Sequence, residues 1–272
     1  MKLSRIRLAA VMLTLSLSVF PAFAAKQETR SKAHFKLPAN AVEIAPNIFS
    51  LGTAIDKDGE LLEGYAIVHP KKEESRMSNS AGRTKTVCYA FLSQGTKWKT
   101  VEPYLINPAN GDGLSDSFIS NSFAADIAAW ENNSGRDILG PGTVTSATLV
   151  SNISAPDGIN AVFLGSIDDP YTIAVTTVWG KFVGPTSQRE LKEWDMIFND
   201  TGFVWGDVLA TGNTSLMDFE DIATHELGHA MGLGHPSDSC TEETMYRFGT
   251  YGETKKRDLN TGDIQGIRKL YP

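Results

Sequence analysis

The chain of 272 residues is poor in cysteine, with two, and in histidine, with five. It also lacks any marked bias in composition, because 41% hydrophobic and 21% charged residues are ordinary values for a globular protein. Collagen, coiled-coil and wholly disordered classes are therefore excluded. We find no internal repeat, and beyond the N-terminus no apolar run is long enough to span a membrane. The chain can form one sizeable core with a smaller unit beside it.

Residues 1–24 have the pattern of a secretory signal and are not expected in the fold. Three basic residues lie in the first seven positions, an uncharged apolar run covers 8–20, and small side chains follow at Ala22 and Ala24. We predict cleavage before Ala25. An uncleaved anchor is the alternative, but its apolar run is shorter than the roughly 20 residues that a spanning helix needs. We expect a secreted or periplasmic protein without membrane insertion after cleavage.

Loss of the signal leaves 22 basic and 32 acidic residues, a net charge of −10. This excess of negative charge argues against nucleic acid and anionic lipid as partners.

The two cysteines are Cys88 and Cys240. In an oxidising compartment a single pair usually forms a disulfide. A second interpretation stays open at this point, in which Cys88 is a thiolate that reaches a metal.

Residues 25–85 read as an N-terminal tail, a β-hairpin and a linker. Two short strands, 47–52 and 62–69, flank a turn that contains a glycine. The charged and small residues after position 70 are typical of an exposed linker. This segment is too small to be called an independent domain, and whether it is a removable pro-segment stays open.

Residues 86–272 form the main unit, which we assign to the α+β class. Apolar periodicity predicts an amphipathic helix over 115–131 and a second helix over 218–233, with Asp218 as its N-cap. The remaining predicted elements are strands at 87–92, 101–106, 160–167, 172–179 and 190–199, and a last helix at 261–271.

The segment 225–235 reads His-Glu-Leu-Gly-His-Ala-Met-Gly-Leu-Gly-His. His225 and His229 are four positions apart, so on a helix they project from one face and can bind one zinc ion. Glu226 can then reach a metal-bound water. Gly232 allows the helix to end, and His235 returns as a third ligand. Three protein nitrogens leave a fourth position for water, which is typical of catalytic zinc.

This motif resembles the signature of the metzincin metallopeptidases. Met245, followed by a tyrosine, is similar to the methionine turn of that clan, and residues 259–271 are similar to the matrixins. The resemblance implies a catalytic domain with a mixed twisted sheet, an active-site helix and a C-terminal helix, here preceded by a hairpin. It also implies one catalytic Zn²⁺ and a general base at Glu226.

The function implied is that of a zinc-dependent endopeptidase acting on a protein or peptide, and we expect a monomer. Metzincins bind an extended peptide antiparallel to a sheet edge, which we place within 172–199. The segment 236–250 would form the wall of the pocket just after the scissile bond. Three alternatives stay open: a catalytically silent binding protein, a zinc hydrolase for other substrates, and a peptidase with a single target.

The chain also departs from the matrixin pattern. Two aspartates usually open the last helix, but here the pair reads Gly262–Asp263, so the family's partner for a freshly cut N-terminus is missing. No histidine lies between positions 69 and 225, which predicts that the family's second zinc site is absent. Asp168 and Asp169 are candidates for Ca²⁺, although a turn is the simpler interpretation.

The remaining cysteine and histidine positions have simpler interpretations. The matrixin inhibitory cysteine lies in a Pro-Arg-Cys-Gly context that Cys88 does not share, so a bridge to Cys240 fits better. His34 reads as a tail or surface residue, and His69 as an ordinary residue at a strand end.

Overall fold

The computed structural model of this protein describes residues 33–72 and 87–272. The predicted signal and most of the predicted linker lie outside these ranges. The described helices are α1 Asp116–Ser134, α2 Val208–Thr211, α3 Phe219–Ala230 and α4 Thr261–Leu270. The described strands are β1 His34–Phe35, β2 Val42–Ala45, β3 Ile48–Ile55, β4 Leu61–Pro70, β5 Ala90–Phe91, β6 Glu102–Asn107, β7 Leu139–Val144, β8 Asn160–Ile167, β9 Thr172–Lys181, β10 Glu190–Asn199, β11 Trp205–Gly206, β12 Met217–Asp218 and β13 Leu233–Gly234.

A mixed sheet forms the centre of the fold, with strand order β2-β3-β4-β9-β10-β8-β6-β7 and with β1 added to β8. The four strands β7, β6, β8 and β10 run parallel to one another. Strand β9 is antiparallel to β10. The predicted hairpin is present and is part of this sheet, because β4 pairs with β9 along its length. The expectation of a free sheet edge within 172–199 does not hold for the full chain, because β4 covers the outer side of β9.

The main hydrophobic core lies where helices α1 and α3 pack together and α3 packs against β9 and β10. Aromatic side chains fill much of this space, and Trp130, Trp194 and Phe123 have no exposed surface. A smaller core on the other side of the sheet includes Phe35 of β1 and Val175 of β9. Both faces of the central strands are thus buried, which explains why they read as continuous apolar runs.

Side-chain caps define where the helices begin. The Ser115 hydroxyl accepts a hydrogen bond from the Phe118 amide before α1, and the Asp218 carboxylate accepts one from the Asp221 amide before α3. Each cap satisfies a backbone donor that has no partner inside the helix. The predicted N-cap at Asp218 is confirmed.

A disulfide joins Cys88 to Cys240, as predicted, so Cys88 is not a metal-binding thiolate in this structure. It lies beside the antiparallel pair formed by β5 and β13, where Phe91 is opposite Leu233. Only Ala90–Phe91 of the strand predicted over 87–92 is paired. None of the helices in the described part of the chain has the length and apolar character required to cross a membrane.

We predict that replacing both cysteines by serine lowers the free energy of unfolding by about 5 kcal/mol, because the bridge closes a long loop in the unfolded chain. The two cysteines are separated by 152 positions. Denaturant titration measures the change. Reductant should destabilise the wild type and leave the double variant unaffected; equal stability of the two proteins without reductant would refute the prediction.

Candidate metal centre and peptide groove

The three predicted ligands meet at the C-terminal end of helix α3. His225 and His229 lie one turn apart on this helix, and His235 follows after the chain has turned back through β13. Gly232 permits the turn, since its φ of 101° is unfavourable for other residues. Nε2 of His229 is 3.1 Å from Nε2 of His225 and 3.0 Å from Nε2 of His235.

The second nitrogen of each ring faces a backbone carbonyl. Nδ1 of His225 is 2.6 Å from the oxygen of Thr244, and Nδ1 of His229 is 2.9 Å from that of Leu233. Nδ1 of His235 lies 3.4 Å from the oxygen of Pro46. Because a carbonyl can only accept, the hydrogen of each neutral ring belongs on Nδ1, and the Nε2 lone pairs face one another.

This arrangement fits a metal cation. Three lone pairs that converge with no hydrogen between them repel each other unless a cation lies among them. Burial lowers the pKa of all three imidazoles, that of His229 to about 4, and so favours the neutral form that binds metal. Three imidazole nitrogens suit Zn²⁺, and the carbonyl contacts at Nδ1 are the outer hydrogen bonds that usually orient such ligands.

The turn around Met245 packs against helix α3, which carries His225 and His229. Met245 is buried, and its sulfur lies so close to Gly228 of α3 that a Cβ at position 228 would overlap it. The Asp263 carboxylate accepts hydrogen bonds from the amides of Thr244 and Met245, at 2.7 and 3.1 Å. Since the carbonyl of Thr244 in turn orients His225, Asp263 acts on the metal site through the turn.

The unusual glycine at position 262 has a steric explanation. A Cβ there would overlap the carbonyl of Cys88 and lie 2.7 Å from the Glu243 side chain. The amide of Gly262 donates to the Glu243 carboxylate. The space that a side chain at position 262 would need is therefore occupied by the backbone of Cys88 and by Glu243.

Glu226 lies beside the three ligands and is fully buried. Its Oε2 accepts a hydrogen bond from the Thr176 hydroxyl at 2.5 Å, and its Oε1 is 3.0 Å from Nδ1 of His69. Burial raises the pKa of Glu226 to about 8, against the opposing effects of Thr176 and the charge of Lys256. The carboxyl group is thus held in place by strands β9 and β4.

His69 belongs to this site, although the sequence led us to interpret it as an ordinary residue. It has no exposed surface, and its ring packs against that of His225 at a tilt of 34°, with 3.9 Å between centroids. Its Nε2 is 3.0 Å from Nζ of Lys256, which is also fully buried. Two positions after the buried Ile67, His69 falls on the inward face of a strand, and this spacing is the signal that could have found it.

The end of β4 runs through a groove between β9 and the segment that follows the metal ligands. On the first side, β4 is antiparallel to β9, with Ala66 opposite Thr177. On the second side, Pro70 and Lys72 exchange backbone hydrogen bonds with Gly249, at 3.2 and 2.8 Å. The end of β4 is therefore extended and hydrogen-bonded on both sides, and its His69 contacts Glu226.

The aspartates considered for calcium have local partners. Asp168 pairs with His34 at 2.5 Å, and Asp169 accepts from the Tyr171 amide and the Thr172 hydroxyl. These contacts describe a capped turn between β8 and β9. A calcium site at this turn stays an untested prediction.

We predict that Asp263→Asn destabilises the metal site, because an amide offers one acceptor oxygen where the carboxylate uses two. Asp263 serves the amides of Thr244, Met245 and Asn260. The unfolding free energy should fall by about 1–3 kcal/mol, and zinc affinity, measured by competition with a chelator, should fall with it. Asp258→Asn is the matched control at an exposed position. Unchanged zinc affinity in Asp263→Asn would contradict the role of this turn.

The comparisons with known proteins agree with this geometry. The family model of the matrixins matches residues 122–272. Metalloendoproteinase 5-MMP of Arabidopsis thaliana is 40% identical over 202 residues, which cover 72% of this chain and 51% of the relative. Metalloendoproteinase 2-MMP of the same plant is 31% identical over 132 residues, with 47% and 33% covered, and Metalloendoproteinase 1 of Glycine max is 47% identical over 66 residues, with 24% and 21% covered. The chain thus spans about half the length of these relatives or less. The chain belongs to the matrixin family of metallopeptidases.

Proposed function

We propose that this protein is an exported zinc-dependent endopeptidase whose general base is Glu226. The observation that carries the proposal is the convergence of three imidazole Nε2 atoms beside a buried carboxyl group. His229 Nε2 lies within 3.1 Å of the other two ring nitrogens. Membership of the matrixin family and the names of the similar proteins support peptide bonds as the substrate.

The residues of the site can be given roles in peptide hydrolysis. His225, His229 and His235 would hold zinc, which when bound polarises a carbonyl group and lowers the pKa of a coordinated water. Glu226 would accept a proton from that water and pass it to the leaving amine. Thr176 orients the Glu226 carboxyl group through its hydroxyl. The backbones of β9 and Gly249 offer hydrogen bonds to both sides of an extended peptide.

We predict that Glu226→Ala retains stoichiometric zinc and loses peptide cleavage by a factor of roughly 10² to 10⁴, the usual contribution of a general base. Metal analysis and a quenched-peptide library measure the two properties on the same preparation. Asp137→Ala, which removes an exposed carboxylate between α1 and β7, is the control. Cleavage by zinc-loaded Glu226→Ala at the wild-type rate would exclude Glu226 as the base.

We further propose that residues 25–85 are a pro-segment and that residues 86–272 are the catalytic domain. The support is steric: β4 occupies the side of β9 on which a substrate would pair, and His69 occupies the space beside Glu226. A peptide and β4 cannot bind there together. Residues 73–86 link the two parts, and their Arg76, Arg83 and Lys85 are positions that a trypsin-like protease recognises.

We predict that cutting the linker activates the enzyme. A specific protease site placed within 73–86 allows the full chain to be cut after folding and the N-terminal fragment to be separated. Because the fragment competes with substrate for one groove, kcat/KM should rise by roughly tenfold or more, and adding the fragment back should inhibit. Processed Glu226→Ala controls for contaminating protease.

An uncut chain that is as active as the processed chain would refute the pro-segment. No cleavage by either form, with one zinc bound, would instead favour a catalytically silent or single-target protein of this family.

Export is the remaining part of the proposal. The disulfide between Cys88 and Cys240 supports an oxidising compartment. N-terminal sequencing of the exported protein that still carries the pro-segment should begin at Ala25, whereas a start at Met1 would contradict the predicted signal.

A further inference from the structure

His69, the side chain that β4 places beside Glu226, has hydrogen-bond partners at both ring nitrogens: a lysine ammonium group and a carboxyl group. Nζ of Lys256 carries only donors, so Nε2 of His69 accepts its hydrogen bond, at 3.0 Å. The hydrogen of the neutral ring then lies on Nδ1, which donates to Oε1 of Glu226 at 3.0 Å. His69 thus links the ammonium group of Lys256 to the carboxyl group of Glu226.

The pocket is otherwise closed and has little spare room. The ring of His225 forms one side, at 3.9 Å between ring centroids. Gly249 forms another, because a Cβ there would lie 3.1 Å from Nε2 of His69 and 2.8 Å from the Ile173 side chain. His69 and Lys256 both have no exposed surface.

Groups other than His69 also hold Lys256 in this position. Its Nζ donates to the Phe248 carbonyl at 2.9 Å, and its amide donates to the Asp221 carboxylate at 2.7 Å. Among the described residues, these contacts and His69 are the hydrogen-bond partners of Lys256. If His69 leaves, the buried ammonium group loses one of its two acceptors, and this loss is unfavourable unless a new acceptor replaces it.

We propose that Lys256 is the specificity-determining residue of this pocket and selects a substrate side chain that ends in a hydrogen-bond acceptor. The inference rests on the proposed peptidase function, in which a substrate takes the path of β4 and places one side chain where His69 lies. Glutamine is the best counterpart of His69: its carbonyl oxygen is the same number of bonds from Cα as Nε2, and its amide can donate to Glu226. Leucine has a similar size and reach but leaves the Lys256 ammonium group with the Phe248 carbonyl as its one remaining acceptor among the described residues.

The first test uses the full chain and does not depend on activity. His69→Gln and His69→Leu are compared with Lys256 present and in the Lys256→Met background, and the unfolding equilibrium is measured by denaturant titration. With Lys256, the Leu variant should unfold at least tenfold more readily than the Gln variant, a difference of about 1.4 kcal/mol. In the Lys256→Met background this preference should vanish or reverse, since the pocket then holds no ammonium group that requires an acceptor.

An equal Gln-to-Leu difference in the two backgrounds would overturn the proposal. If Lys256→Met does not fold, the comparison at position 69 in the wild-type background decides, because a Leu variant as stable as the Gln variant leaves no requirement for an acceptor.

The second test measures which substrate side chain the processed enzyme prefers in the pocket that His69 occupies in the full chain. The processed wild type should cleave peptides with glutamine at this position roughly tenfold faster than those with leucine, and processed Lys256→Met should lose or invert that order. A wild-type preference for leucine that Lys256→Met leaves unchanged would overturn the proposal. Absence of cleavage by every form would refute the peptidase function, while the unfolding measurements would still decide on the pocket.

Discussion

The mutual repulsion of three nitrogen lone pairs is the constraint around which this part of the molecule is built. Nε2 of His229 lies 3.0–3.1 Å from the Nε2 atoms of His225 and His235, and Nδ1 of each ring faces a backbone carbonyl. A cation among the three nitrogens would remove this repulsion, as the proposed zinc site requires. The turn of Met245 and the carboxylate of Asp263 fix the carbonyl that orients His225, so the C-terminal helix contributes to the metal site without touching it.

The position of β9 explains how the N-terminal segment lies in the groove. A strand with one free side presents unpaired amides and carbonyls, and an extended chain will pair with them. Here β4 of the same chain does so, and Gly249 binds its far end. Backbone pairing, which has no sequence requirement, accounts for how the segment lies in the groove. The contacts of His69 with Glu226 and Lys256 account for its register, because a shift by one residue would turn His69 away from both.

Local patterns predicted much of the site, and long-range pairing accounts for what they missed. The spacing of His225 and His229, the cap at Asp218 and the hairpin around residues 56–60 are properties of short windows, and the structure contains all three. The pairing of β4 with β9 joins segments more than a hundred positions apart, and nothing in either window specifies its partner. Lys256 gave no signal at all, since a lysine between charged neighbours reads as exposed until the fold places it under the groove.

Whether β4 fills the groove in which substrates are proposed to bind is best tested by hydrogen exchange at the β9 amides that face β4 and at the Gly249 amide. The full chain and the chain freed of its N-terminal fragment are compared at equal zinc content. We expect slow exchange of these amides in the full chain, faster exchange after removal of the fragment, and renewed protection when an uncleavable substrate peptide is added. Continued slow exchange after removal of the fragment, in an enzyme that nevertheless cleaves peptides, would show that substrates bind elsewhere and would contradict the role given to β4.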